Sequence, residues 1–156
     1  MARFMRKGKT RVYWMAALPT SAALLESTGI KLHTDMAEIS GFSFSNAPIA
    51  VPDMGTAFVS QVSGEDTVED SEIVFYEDGS ADLGWQTPII KGALGVIVIA
   101  SRGGTGALGI TATGNKVDCW PAEVASVAKV YTAANEAATM RVRITCTAAP
   151  TVVTLS

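Results

Sequence analysis

Gly104-Thr-Gly106-Ala-Leu-Gly109 has the spacing of a dinucleotide-binding fingerprint, and it follows an apolar run over residues 94–100 as such a fingerprint follows its first strand. That chemistry needs a helix to begin at the glycines, so that free N–H groups at its N-terminus face a pyrophosphate. Ile110-Thr-Ala-Thr-Gly114 is β-branched and broken by glycine instead, and no βα alternation follows it. The glycines therefore read as a loop between strands. His33 is the only histidine; it lies between Lys31 and Asp35 with no cysteine or GxSxG nearby to activate, and reads as a surface residue. Cys119 and Cys146 are too few for a disulfide framework or a zinc site and read as small buried hydrophobes. Glu65, Asp66, Glu69 and Asp70 lack the Asx and glycine spacing of a calcium loop. No catalytic, cofactor or metal residue is assigned, and the chain is not expected to be an enzyme.

The elements that would position any site are strands. Residues 139–147 alternate most cleanly, with Met140, Val142, Ile144 and Cys146 on one face and Arg141, Arg143 and Thr145 on the other. Similar alternation predicts strands at 10–17, 37–44, 58–62 and 71–76. The unbroken Val96-Ile97-Val98-Ile99 predicts a strand covered on both faces. One helix is predicted over 82–91, with acidic residues at its start, Lys91 in its last turn and Gly92 as a stop, although Pro88 lies inside it. The long connection over 45–57 contains Pro48, Pro52 and Gly55 but also Ile49, Val51 and Met54. A solvated loop has no need of those apolar residues, so it reads as a loop that docks on a neighbour.

The chain has 156 residues, 48% apolar and 17% charged, which fits one core and excludes intrinsic disorder. A net charge of −3 removes general nucleic-acid binding as a function, and no apolar run approaches the length of a membrane span. Charge is nonetheless segregated: the first eleven residues carry five basic side chains, whereas residues 65–82 are acidic with no Lys or Arg. Such complementarity, on a surface otherwise poor in charge, points to self-association.

Seven blocks then occur in order: Met1-Ala-Arg-Phe-Met-Arg-Lys-Gly-Lys-Thr-Arg-Val-Tyr13; Ala37-Glu-Ile-Ser-Gly-Phe-Ser-Phe-Ser-Asn46; Asp53-Met with Phe58-Val-Ser60; Gly64-Glu-Asp-Thr67 with Glu69-Asp-Ser71; Phe75-Tyr-Glu-Asp78; Asp118-Cys-Trp-Pro121; and Tyr131-Thr-Ala-Ala-Asn-Glu-Ala137. Together they resemble the major tail tube proteins of long-tailed, siphovirus-type phages of actinobacteria. Residues 103–109 and the tail from Thr147 have no counterpart in that resemblance. It implies a mainly β fold of two packed antiparallel sheets, a barrel-like sandwich with one flanking α-helix. It also implies one tail tube domain over residues 1–156, with an N-terminal arm at 1–9 and the long loop at 45–57.

By the same resemblance the chain is a virion structural protein, assembled in the host cytoplasm as stacked hexameric rings that form a channel for DNA. Its partners would be itself, the tape measure protein, the tail terminator and the tail-tip proteins, with DNA passing non-specifically and no membrane insertion. Arg3, Arg6 and Lys7 are expected to meet Glu65, Asp66, Glu69, Asp70 and Glu72 of another copy, with Ile49, Val51, Met54 and Phe58 as apolar inter-subunit contacts. Arg141 and Arg143 would impede DNA if they faced the channel unpaired, so they are expected at a protomer interface or the outer face. Two alternatives remain: a secreted monomeric β-sandwich binding module, whose leader would be the basic and then apolar first 25 residues, and the tube of a contractile injection system.

Overall fold

The computed structural model describes residues 10–55, 57–78, 84–101, 114–131, 133 and 136–156. The glycine-rich fingerprint, the N-terminal arm and the start of the expected 82–91 helix lie outside them. Val96–Ile99 forms part of β9 (Leu94–Ala100), which pairs on one side with β1 (Arg11–Met15) and on the other with β10 (Lys116–Val130). The hydrogen-bonded order is β2 (Ile30–Lys31), β1, β9, β10, β11 (Thr139–Cys146), β8 (Ser71–Tyr76) and β3 (Met36–Ser40), all antiparallel. β12 (Thr151–Thr154) joins the same sheet along the first part of β10.

The fifteen-residue β10 organises the whole arrangement. Residues 116–119 pair with β12, and from Ala122 onward the strand pairs with β11. Pro121, which has no N–H to donate, falls in the short interval between these two partners, and its carbonyl accepts from Thr147 N–H (2.9 Å). A bulge between Val124 and Ser126 then shifts the alternation by one, so that Val127 stays on the core side.

Alternation sends side chains to two cores. Val12 and Trp14 of β1, Ile97 of β9 and Trp120, Ala122 and Val124 of β10 meet Ile73 and Phe75 of β8 and Met140, Val142 and Ile144 of β11. The two halves of the curled sheet thus face each other across one interior, as a barrel-like sandwich does. Tyr13, Met15, Val96, Val98, Val117 and Cys119 point the other way, under a helix and Leu155. β9 is covered on both faces, as its unbroken apolar sequence requires.

That helix, α1 (Ala22–Thr28), begins within the leader-like first 25 residues. Ser21 caps it by accepting from Leu24 N–H (3.1 Å), and Gly29 N–H closes it on the Leu25 carbonyl (2.9 Å). Seven residues do not hold a helix in water, so tertiary contact must. Leu25 is fully buried, worth about 2 kcal/mol, and Glu26 accepts from Tyr13 Oη (2.6 Å) while pairing with Lys31 (3.3 Å). Among the described residues of the helix expected over 82–91, which are 84–91, no helix forms. Pro88 and Gly84 leave only turns there, with Ile89 N–H reaching the Trp85 carbonyl, and Trp85 and Ile89 plug the main core. Residues 11–15, which overlap the apolar stretch of the leader-like segment, form β1 between β2 and β9, with Tyr13 fully buried.

The strand expected over 37–44 is broken. β3 ends at Ser40, Gly41 (φ 77°) and Phe42 (φ 49°) turn the chain, and β4 (Phe44–Asn46) starts a different ribbon. A Cβ on Gly41 would run into the Asp70 carbonyl and lie 2.6 Å from Ser71 Cα. Phe42 is held in its unusual conformation by N–H donation to Ser71 Oγ (3.0 Å) and an edge contact with Trp120.

Candidate assembly surfaces

Beyond Phe42 the chain leaves the sheet. β4 pairs with β7 (Asp66–Val68), and β5 (Ile49–Val51) pairs with β6 (Ser60–Val62), so residues 44–68 form one antiparallel arm. Asn46 splices its two ladders: its amide donates to the Gly64 carbonyl (3.1 Å) and to Asp66 Oδ1, and its Oδ1 accepts from Gly64 N–H (3.1 Å). At the tip Gly55 N–H donates to Asp53 Oδ1 (2.9 Å), an Asx turn. The docking loop expected over 45–57 is therefore the end of β4, all of β5 and the turn that follows it.

Val68 at the base of the arm packs against the main core, but beyond it the apolar side chains of the arm lie open. Ile49 is 56% exposed, Met54 fully exposed and Phe58 79% exposed, with Val51, Val59 and Val62 also open. A two-stranded ribbon is marginal alone in water, and a run of exposed large apolar groups marks a surface that something covers.

The expected acidic partners divide into two groups. Glu65, Asp66, Glu69 and Asp70 are exposed at the base of the arm, where Ala47 N–H donates to the Glu65 carbonyl (3.0 Å) and Glu69 N–H to the Ser43 carbonyl (3.2 Å). Glu72 is different, because it lies in β8 beside β11 and faces Arg143 (3.7 Å) and Arg141 (3.8 Å) of its own chain. Arg3, Arg6 and Lys7 lie outside the described residues.

The face that carries Glu72 can be read off the register. Ser40, Glu72, Arg143 and Ser126 are aligned across β3, β8, β11 and β10, and the next row is Glu38, Val74, Arg141 and Ala128. Glu123 and Thr145 continue the face on β10 and β11. All of these are exposed or half-buried, whereas the alternate residues of the same strands fill the core. Sequence alternation marked Arg141 and Arg143 as outward-facing; their pairing with Glu72 depends on the neighbour that β11 takes.

The residues that could do chemistry are occupied structurally. His33 is half-buried, not on the open surface: Val12 N–H donates to its Nδ1 (3.3 Å) and Tyr13 lies edge-on to the ring. Burial pushes its pKa down, opposed by the Val12 carbonyl, which lies 3.2 Å from Nδ1 and accepts from it when that nitrogen is protonated. Burial pushes the Cys119 thiol up to about 11, with Asp118 adding to the rise, so thiolate is scarce at neutral pH. Cys146 is half-buried and also raised by burial, with a hydrogen bond from Ser71 opposing. Among the described residues no three His, Cys, Asp or Glu side chains gather to hold a metal, and no helix is long and apolar enough to cross a membrane.

The family model described as "Phage tail tube protein" matches residues 1–155. The chain belongs to the phage tail tube protein family. No curated protein sequence matches it. Among solved structures, a chain of "Cryo-EM structure of the anti-feeding prophage (AFP) baseplate, 6-fold symmetrised" is similar at a TM-score of 0.65 and 9% identity, covering 100% of this chain and 99% of that one. A chain of "Crystal structure of Hcp protein" has a TM-score of 0.37 and 8% identity, covering 93% and 98%. The first likeness establishes a shared mainly β fold. Membership places the chain among the structural components of a phage tail, which self-associate into a tube with other tail parts.

Proposed function

We propose that the chain is the repeating subunit of a virion tail tube, six copies closing a ring and rings stacking into a channel through which DNA reaches the host. The observation that carries this reading is the arm of residues 44–68, a paired ribbon that leaves its own core and presents Ile49, Val51, Met54 and Phe58 outward. A subunit of an open-ended, heterologous assembly needs such a projection, because each copy must offer one surface and accept a different one. The family match supports the reading, and the baseplate chain that shares the fold was solved with six-fold symmetry.

In this proposal residues 1–156 act as one tail tube domain of a siphovirus-type phage of actinobacteria, assembled in the host cytoplasm. The tape measure fills the channel, and terminator and tail-tip proteins bound it. The basic arm at 1–9 reaches a neighbouring copy, with Arg3, Arg6 and Lys7 meeting Glu65, Asp66, Glu69 and Asp70 at the base of its arm. Glu72 is left out of that contact, being engaged by Arg141 and Arg143. Exposed charge pairs are screened by salt, so stacking weakens as ionic strength rises. The double reversal Arg6→Glu with Lys7→Glu is expected to stop polymerisation while circular dichroism and melting stay those of the parent chain. Tubes of ordinary length from that variant would refute the electrostatic contact.

A further inference from the structure

We infer that the open face of β3, β8, β11 and the second half of β10 is the channel wall, and that Glu72 restrains Arg141 and Arg143 so that this wall does not grip the phosphates of passing duplex DNA. The inference rests on the tube reading above. The curled sheet has two outward faces, and one of them is taken: β1, β9 and the first part of β10 are covered by α1 and Leu155. Among the described residues nothing covers the face of β3, β8, β11 and the rest of β10.

Its composition decides what can lie against it. The core of a protein interface is poor in charge and rich in aromatic side chains and Met. This face instead presents Ser40, Ser126, Ala128 and Thr145 among charged groups, with Val74 half-buried between Glu38 and Arg141 and Tyr76 only at its end. A surface built to hold DNA leaves its arginines free for phosphate and is net positive. Here three carboxylates, Glu38, Glu72 and Glu123, share the face with two guanidiniums. Both guanidiniums lie within 3.8 Å of the same carboxylate. An exposed pair of this kind adds little to stability, so its consequence is electrostatic: the Glu72 carboxylate lowers the positive potential that a phosphate meets at either arginine. Unpaired arginines had reason to avoid a channel; once both are held by Glu72 that reason is gone. Small side chains and a locally balanced field, repeated around a ring, make a smooth surface for a sliding polyanion.

The test begins with tubes seen on electron-microscope grids. Ala128→Cys places a thiol in the row of Arg141, and the parent chain, with Cys119 buried and Cys146 half-buried, sets the blank. Tubes of this variant are treated with a small maleimide or with one carried on a protein too large for the channel. Labelling by the small reagent alone, with both reagents labelling dissociated subunits, is the expected result. Labelling by both would place the face outside the tube, and labelling by neither would place it between subunits; either overturns the inference. If no tubes form, the tube reading fails first and takes this inference with it. In the second arm, Glu72→Gln tubes assembled with short duplex DNA are expected to retain more of it than parent tubes. The slope of log affinity against log salt should steepen by about 0.9 for each guanidinium released to a phosphate. Adding Arg143→Gln should reverse part of the gain. Unchanged retention in Glu72→Gln tubes would remove the restraining role of Glu72.

Discussion

Replacing Ile49, Met54 and Phe58 together by serine is expected to abolish assembly while leaving the subunit folded. The three side chains stand on the open part of the arm, and the structure gives them exposures between 56% and complete. Exposed substitutions of this kind change stability by about 0.5 kcal/mol or less each, so the melting temperature should move by no more than a few degrees. Their effect on assembly is larger. Burying each against a neighbour would contribute about 1.5–3 kcal/mol, and losing all three at one contact raises the concentration needed for assembly by roughly a thousand-fold or more. Light scattering and circular dichroism on the same sample separate the two effects. A variant that still forms tubes would show that the arm is not the docking element, and one that unfolds would show that the arm supports its own subunit.

The largest effect on the subunit itself should come from Trp85→Ala. Trp85 is 1% exposed and stacks on Phe75 with ring centroids 4.1 Å apart, in the turn segment that also buries Ile89. Removing a buried tryptophan costs about 3–5 kcal/mol, a large share of the 5–15 kcal/mol typical of a domain. For a chain of this length the melting temperature should fall by about 10 °C. Trp85→Phe keeps the stacking and should lose less than half of that. A Trp85→Ala protein melting within about 2 °C of the parent would mean that residues 84–90 are not a plug of the core.

How far the fold can be read from sequence follows from what lies beside each strand. β8 and β9 begin and end where alternation and the apolar run place them, because one or both of their faces meet a fixed core. β10 is obscure: Pro121, the bulge at Ala125 and the change of partner from β12 to β11 each interrupt its pattern, although its backbone is continuous. The arm at 44–68 touches the core only at its base, through Val68, so along the rest of it alternation has no inside to report and half of it reads as loop. α1 carries its signals, Ser21 before it and Gly29 after it, but the basic stretch upstream makes the same residues imitate a leader. The 82–91 pattern has helical charges and a glycine stop, yet Pro88 and the burial of Trp85 prevail.

The surfaces divide in the same way. The apolar residues of the arm are visible in sequence because they are out of place in a loop. Glu72 looks like one more member of an acidic run, and only the register of β8 against β11 separates it from Glu65, Asp66, Glu69 and Asp70 and gives it to Arg143 and Arg141. Long-range strand pairing is the one thing local alternation does not encode.

The most direct test of the tube assignment is electron microscopy of the purified full chain, with light scattering on the same preparation over a range of concentrations. With a subunit of 16.3 kDa, a single ring of six has a mass of about 98 kDa. Six-fold rings, or hollow tubes built by stacking them, are the predicted result. A particle that stays at 16.3 kDa at the highest concentration, and still does so after a tail-tip complex is added to nucleate it, would contradict the assignment.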